Sequence, residues 1–272
     1  MTIDSDRTGE RRETWRGLVI GVMAGMLSGL FGVGGGLIIV PALLAITRME
    51  RKLAHGTSLA ATVPIASASL ATYAFNGDVD WAIAGWLAAG AVAGAIAGTH
   101  LLQVIPKTPL TIIFIVTVIA TALRLVLSDE TLGRGDLTLW GGVGLVVIGF
   151  VAGTLSGLLG IGGGVVMVPA MIVLYSMVPV VAKGTSVAVI VPSSLMGTWR
   201  NRSKRNADIR LAAAIGAAGV VSAVIGSTIA GQISDTASNV TFALLLAIVA
   251  LLQIQSLRTP VRSAPHPAPE AD

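Results

Sequence analysis

Residues 24–42, AGMLSGLFGVGGGLIIVPA, return almost unchanged at residues 152–170, AGTLSGLLGIGGGVVMVPA, with 13 of 19 positions identical at an offset of 128. Each copy sets a triple glycine, Gly34-Gly35-Gly36 or Gly162-Gly163-Gly164, inside an apolar stretch and follows it with a proline, Pro41 or Pro169. Consecutive glycines cost about 1 kcal/mol each in a helix interior, and proline fits a helix only in its first turn. The chain should therefore break at each triple glycine and begin a new helix between the glycines and the proline. The offset persists outward from there. Gly56-Thr57-Ser58 pairs with Gly184-Thr185-Ser186, Pro64 with Pro192, Gly98 with Gly226 and Phe114 with Phe242. Self-similarity at a fixed offset over this length implies two homologous halves.

What surrounds the repeat is unusually apolar. Of 272 residues, 54% are hydrophobic and 12% charged, with a mean hydropathy of +0.83, whereas soluble domains carry about 25% charged residues. Most of the charges fall before Trp15, in short runs between apolar stretches, or after Leu257, the pattern of a polytopic membrane protein. The basic balance (pI about 10.0) belongs to lysines and arginines beside spans, which answer to anionic lipid and insertion polarity. Without a basic patch interleaved with aromatics, nucleic acid is not an expected partner. The absence of cysteine excludes disulfides, thiolate metal sites and cysteine nucleophiles. His55, His100 and His266 form no cluster, so neither a metal nor a cofactor is expected. No HExxH, GxSxG or intramembrane acidic pair occurs, and an enzyme is not expected. The glycines do not read as a nucleotide loop either, because no strand precedes them and no GK(S/T) follows.

Eight apolar segments emerge: 17–46, 58–75, 81–102, 110–127, 139–177, 185–199, 211–233 and 240–254. Thirty residues from Gly17 would form a helix of about 45 Å against about 30 Å of hydrocarbon. Broken at the glycines, residues 18–31 and 37–46 become half-helices that each reach the midplane, as do 145–159 and 165–177. The expectation is two re-entrant hairpins plus six crossings, which puts 15 of the 18 lysines and arginines on the cytoplasmic side. Eight plain crossings split them 13 to 5, so the hairpins fit the positive-inside rule better. Both topologies leave the two termini in the cytoplasm of a multi-pass cell-membrane protein. The expected fold is all-α, integral to the membrane, with two inverted repeats, each a glycine-tipped broken helix pair plus three transmembrane helices. The divisions are a cytoplasmic N-terminal segment (1–16), repeat 1 (17–128), a connecting loop (129–138), repeat 2 (139–257) and a disordered tail (258–272).

Two copies of SGL(F/L)G(V/I)GGGxxxVPA, each opening a half of four apolar segments, resemble the TauE/SafE family of sulfite and organosulfur anion exporters and permeases, over nearly the whole chain. The resemblance implies a secondary transporter, an exporter rather than an importer, of small sulfur oxyanions such as sulfite, sulfonates or sulfoacetate. A passive anion channel and a membrane partner-binding protein without transport are the alternatives. The expected partners are a small organosulfur or sulfite-like anion and membrane lipid, with a homodimer left open.

For such an anion, the free amides of Gly34, Gly35 and Gly36 and of Gly162, Gly163 and Gly164 are the candidate cradle, because helix N-termini and bare amides attract negative charge. The bland alternative is that these glycines only let backbones pass closely. Candidate hydroxyls and kinks lie on the second segment of each half: Thr57, Ser58, Thr62 and Pro64 against Thr185, Ser186, Pro192 and Ser193. Those hydroxyls equally suit bonds back to their own helix carbonyls. His55 and Lys183 stand at equivalent positions, as gating residues or as ordinary interfacial ones. The glycine ridges (Gly17, Gly21, Gly25, Gly29; Gly90, Gly94, Gly98; Gly149, Gly153, Gly157) are read as helix-packing faces.

Overall fold

The structure, a computed structural model, describes residues 3–47, 49–101, 139–160, 162–203 and 206–258. The expected segment 110–127, the connecting loop 129–138 and the tail from 259 onward lie outside the described residues. The described elements are all helices: α1 (Ile3–Phe31), α2 (Gly36–Ala42) with one π-helical turn (Leu43–Thr47), α3 (Arg51–Phe75), α4 (Trp81–Leu101), α5 (Leu139–Leu159), α6 (Gly164–Tyr175), α7 (Pro179–Ser203), α8 (Ile209–Ala230) and α9 (Asp235–Arg258). Five of them hold an apolar stretch long enough to cross a membrane: Lys52–Phe75, Trp81–Gly98, Leu139–Leu158, Pro179–Arg202 and Ile209–Ala230.

Both triple glycines break the chain, as their cost in a helix requires. Gly32, Gly34 and Gly35 take φ of 67, 80 and 70°, and Gly160, Gly162 and Gly163 take 66, 90 and 69°, a left-handed conformation that side chains with a Cβ resist. The second arms start on the last glycine of each triplet, Gly36 and Gly164. Pro41 and Pro169 therefore stand in the second turn rather than the first. Each proline removes a donor there, and after Pro41 the helix loosens into its π turn. Behind the break the chain folds back: Leu43 joins Ile20, Ala24, Ala54, Ala61 and Ile215 in one apolar cluster.

The first arms are longer than the midplane expectation. α5 begins at Leu139 rather than Leu145, and its 21 residues reach about 31 Å at 1.5 Å per residue. The cause is packing, since glycine faces let each arm lie flush along a span-length helix. α1 runs parallel to α8, with Gly17 beside Leu211, Gly21 against the Ile215 carbonyl, Gly25 against that of Gly219 and Gly29 against that of Ala223. α5 does the same along α4, where Gly149 and Gly153 meet the carbonyls of Leu87 and Ala91, and Gly90, Gly94 and Gly98 meet those of Val146, Phe150 and Thr154. A Cβ at any of these but Gly17, which faces the Leu211 side chain, would strike backbone, the geometry by which helices associate in lipid. Each half's first arm thus packs on the other half's helix, and the two contacts are copies of each other at the offset of 128.

At the centre, α3 and α7 cross antiparallel. Gly56 lies beside Asn206 and Asn201, Leu59 against Gly197, and Tyr73 against Gly184. Polarity is arranged inside out. Phe75, Trp140, Val221 and Leu244 are more than 60% exposed, while Ser28, Thr57, Ser58, Thr62, Ser69, Thr185, Ser186 and Ser194 are buried. An apolar exterior of this extent suits lipid.

Candidate functional site

The two glycine turns touch. A Cβ on Gly164 would fall on the Gly32 carbonyl and 2.7 Å from the Val33 Cα, and one on Gly162 would lie 2.9 Å from the Val33 carbonyl oxygen. Gly34 sits between α3 and α7, where its Cβ would be 3.0 Å from Ile190 and 3.3 Å from the Thr62 methyl. Every residue from Phe31 to Leu37, and Gly162 to Pro169 on the other side, is buried. In this conformation the closest approach of the tips, between Gly32-Val33 and Gly162-Gly164, is filled by backbone.

The turns close on few bonds of their own. Gly36 donates to the Gly34 carbonyl and Gly164 to that of Gly162, each at 2.8 Å, and Gly35 and Gly163 accept from the next turn of their helices. The amides of Val33, Gly34, Gly35 and Leu37, and of Gly162, Gly163 and Val165, have no backbone acceptor among the described residues. Unspent donors at the start of two helices are the electrostatic raw material of an anion site.

The candidate hydroxyls divide into two groups. Ser58 Oγ donates to the Gly160 carbonyl and Ser186 Oγ to the Gly32 carbonyl, both at 3.0 Å. Thr57 Oγ1 accepts from the Asp208 amide at 2.9 Å and Thr185 Oγ1 from the Asp80 amide at 3.0 Å. None of these four bonds returns to its own helix; each ties one half to the other. Asp80 and Asp208 in turn cap α4 and α8 through their side chains. Ser193 alone of the candidates bonds its own helix, to the Ile190 carbonyl at 3.1 Å. Thr62 has its hydroxyl buried with no partner among the described residues, and Ser28, Ser69 and Ser194 share that condition. Thr198 is a fifth such hydroxyl, and an unmade bond on a buried hydroxyl costs about 1–3 kcal/mol.

The tetrapeptides His55-Gly-Thr-Ser58 and Lys183-Gly-Thr-Ser186 are therefore matched clasps. Gly56 and Gly184 admit the loop carbonyls of Asn206 and Asp78, the threonine receives the capping aspartate's amide, and the serine holds the opposite glycine turn. Their first residues meet those same turns: a Cβ on Gly160 would lie 2.9 Å from His55 Nδ1, and one on Gly32 would lie 2.7 Å from Lys183 Cα. Lys183 is buried, and its Nζ donates to Ser238 Oγ at 2.5 Å. Pro64 and Pro192 stand apart from the tips' own contacts; α3 and α7 continue as helices through them, and Pro64 lies against Gly216 of α8. In the loop after α3, partial burial raises the carboxyl of Asp78 above the usual range.

Sequence reading missed Asp80, Asp208, Ser238 and Tyr73, whose hydroxyl donates to the Gly29 carbonyl at 2.5 Å. Asp80 and Asp208 carried a signal, because they too lie 128 apart, each just before an apolar helix. Tyr73 and Ser238 carried none. Among the described residues no group of three or more His, Asp or Glu could hold a metal ion.

Comparison with known proteins follows the same division into halves. A family model described as Sulfite exporter TauE/SafE matches residues 2–125 and 145–271. The probable membrane transporter protein YunE of Bacillus subtilis is 27% identical over 260 residues, covering 86% of this chain and 93% of its own length. A probable membrane transporter protein of Haemophilus influenzae is 32% identical over 167 residues, 56% of this chain and 60% of its own. One from Xylella fastidiosa is 40% identical over 82 residues, 30% of this chain and 31% of its own. No solved structure matches the chain.

Proposed function

The chain belongs to the sulfite exporter TauE/SafE family, which makes it a multi-pass membrane transporter, and from that premise we propose that it exports small sulfur oxyanions by alternating access past its two glycine tips. The family's description and the chemistry available both support sulfite, sulfonates or sulfoacetate as the substrate class. With unspent amides and unpartnered hydroxyls, the tips favour an oxygen-rich anion that can be held without a carboxylate relay. The anion's oxygens would take bonds from the amides near Gly34, Gly35, Gly162 and Gly163 and from Thr62, once the tips part.

One observation carries this reading: the two turns meet as a pair, each clasped by the opposite half through Ser58 and Ser186. The antiparallel crossing of the equivalent helices α3 and α7 supports a reading of the halves as inverted, the symmetry that alternating access exploits. Arg51 and Lys52 then share an end with Arg200 and Arg202, in keeping with the positive-inside rule and with two hairpins. Touching tips favour a carrier over an open pore.

The test is a counterflow screen in proteoliposomes with sulfite, thiosulfate, sulfoacetate, sulfate and simple carboxylates. The expected result is trans-acceleration by sulfite or a sulfonate and none by the carboxylates. Failure of every sulfur anion to exchange would overturn the proposal.

A further inference from the structure

We propose that the seam between α3 and α7 is the anion's path on both sides of the glycine tips, an inference that deepens the transport reading above and rests on it. Thr62, Ala66, Ser69 and Tyr73 recur at steps of four, three and four along α3, which puts them on one helix face. The positions 128 further on, Ile190, Ser194, Gly197 and Asn201, form the same face of α7. All eight are buried. Gly34 of the first turn lies between Thr62 and Ile190, while Tyr73 against Gly184 and Asn201 against Gly56 close the two ends of the seam. The contacts of Leu59 with Gly197 and of Tyr73 with Gly184 set an antiparallel register, in which Thr62 and Ser194 stand at one level. Ser69 lies about 10 Å from Thr62 toward the end that holds Asp78, and Thr198 lies about 6 Å from Ser194 toward the end that holds Arg202.

Hydroxyls in the seam behave unlike those outside it. Ser67, Thr72, Thr154, Thr228 and Thr241 each donate to the carbonyl four residues back, the local bond by which a hydroxyl is satisfied in an apolar helix. Thr62, Ser69, Ser194 and Thr198 do not, and no other partner meets them among the described residues. A hydroxyl rotates to suit its acceptor, so each of the four keeps a donor for a solute's oxygens. Two stand level with the tips and one on either side, α3 supplying the outlying donor toward one end and α7 toward the other. The tips fill the middle of the seam in this conformation, and a solute reaches them past Ser69 from one end or past Thr198 from the other, the two separate approaches that alternating access requires.

The absence of cysteine lets the path be read one residue at a time. The probe is (2-sulfonatoethyl) methanethiosulfonate, an impermeant thiol reagent that is itself a sulfonate, applied to right-side-out and inside-out membrane vesicles. These carry Ser69→Cys, Thr198→Cys or, on the exposed face of α3, the control Ser67→Cys. Ser69→Cys is expected to react from the side of Asp78 only and Thr198→Cys from the opposite side only, both faster than the control and both slowed by saturating sulfoacetate. Reaction of the two from one side, or of both at the control's rate, would overturn the inference while leaving the transport reading intact. Should either variant fail to insert, Ser69→Ala and Ser194→Ala take its place: each is expected to raise the KM for sulfoacetate about tenfold, and an unchanged KM in both overturns the inference. Labelling from opposite sides in a protein that exchanges no sulfur anion would keep the seam as a path and overturn the substrate reading instead.

Discussion

The two halves agree wherever backbone meets backbone and differ where side chains face the tips. Ser58 with Gly160 repeats as Ser186 with Gly32, Thr57 with Asp208 as Thr185 with Asp80, and the Gly149 and Gly153 contacts repeat those of Gly21 and Gly25. Against this sameness, Thr62 is answered by Ile190, His55 by Lys183 and Tyr73 by Asn201. The repeated contacts are those in which a change in one half must be matched in the other, as expected of architecture. The unmatched positions are free to specialise, and two of the three pairs, Thr62 with Ile190 and His55 with Lys183, lie beside the glycine turns.

Breaking the shared part should have the largest effect. Gly163→Val, or Gly35→Val, forces a branched residue into a left-handed turn; flux in proteoliposomes should vanish while the protein still inserts. Next come the two clasps. Ser58→Ala and Ser186→Ala each orphan a buried carbonyl and should each cost about 1–3 kcal/mol, read by thermal unfolding in detergent. Losses that differ strongly between the two would break the equivalence of the halves.

Exchanging the unmatched pair sharpens the comparison. Thr62→Ile should weaken anion affinity about tenfold, the value of one lost hydrogen bond, with little change in stability. Ile190→Thr, by burying a hydroxyl at the Gly34 and Gly164 contact, should lower stability and leave affinity near wild type. The smallest effect belongs to Asp78→Asn. Burial raises the folded-state carboxyl, so the ionised form above that range costs some stability that the unfolded chain does not incur, and the protonated form costs none. The variant should be slightly more stable at neutral pH, with the advantage disappearing as pH falls below the ordinary carboxylate range.

The breaks at Gly32–Gly35 and Gly160–Gly163 were legible because a glycine's cost in a helix is local, and the halves were legible because the offset is in the sequence itself. Helix ends were less so: α3 starts at Arg51, where the chain is helical but no longer apolar, and α7 starts at Pro179, across the Lys183-Gly184 pair that interrupts the apolar run. The length of α5 escaped for a related reason, since the partner helix that supports it is set by packing. The clasps joined residues 102 and 154 apart in sequence, a pairing no local pattern encodes. The candidate hydroxyls were found, but their partners in the opposite half were not, and only Thr62 retained an unspent hydroxyl.

The passage of the anion beside the tips is tested most directly at Thr62, because the chain contains no cysteine and Thr62→Cys introduces one reactive group of nearly the same size. Alkylation of this variant by N-ethylmaleimide should proceed during sulfoacetate counterflow and slow as sulfoacetate saturates the carrier. A variant that transports sulfoacetate normally yet is alkylated at one rate whether the anion is present or absent would mean that the substrate travels elsewhere.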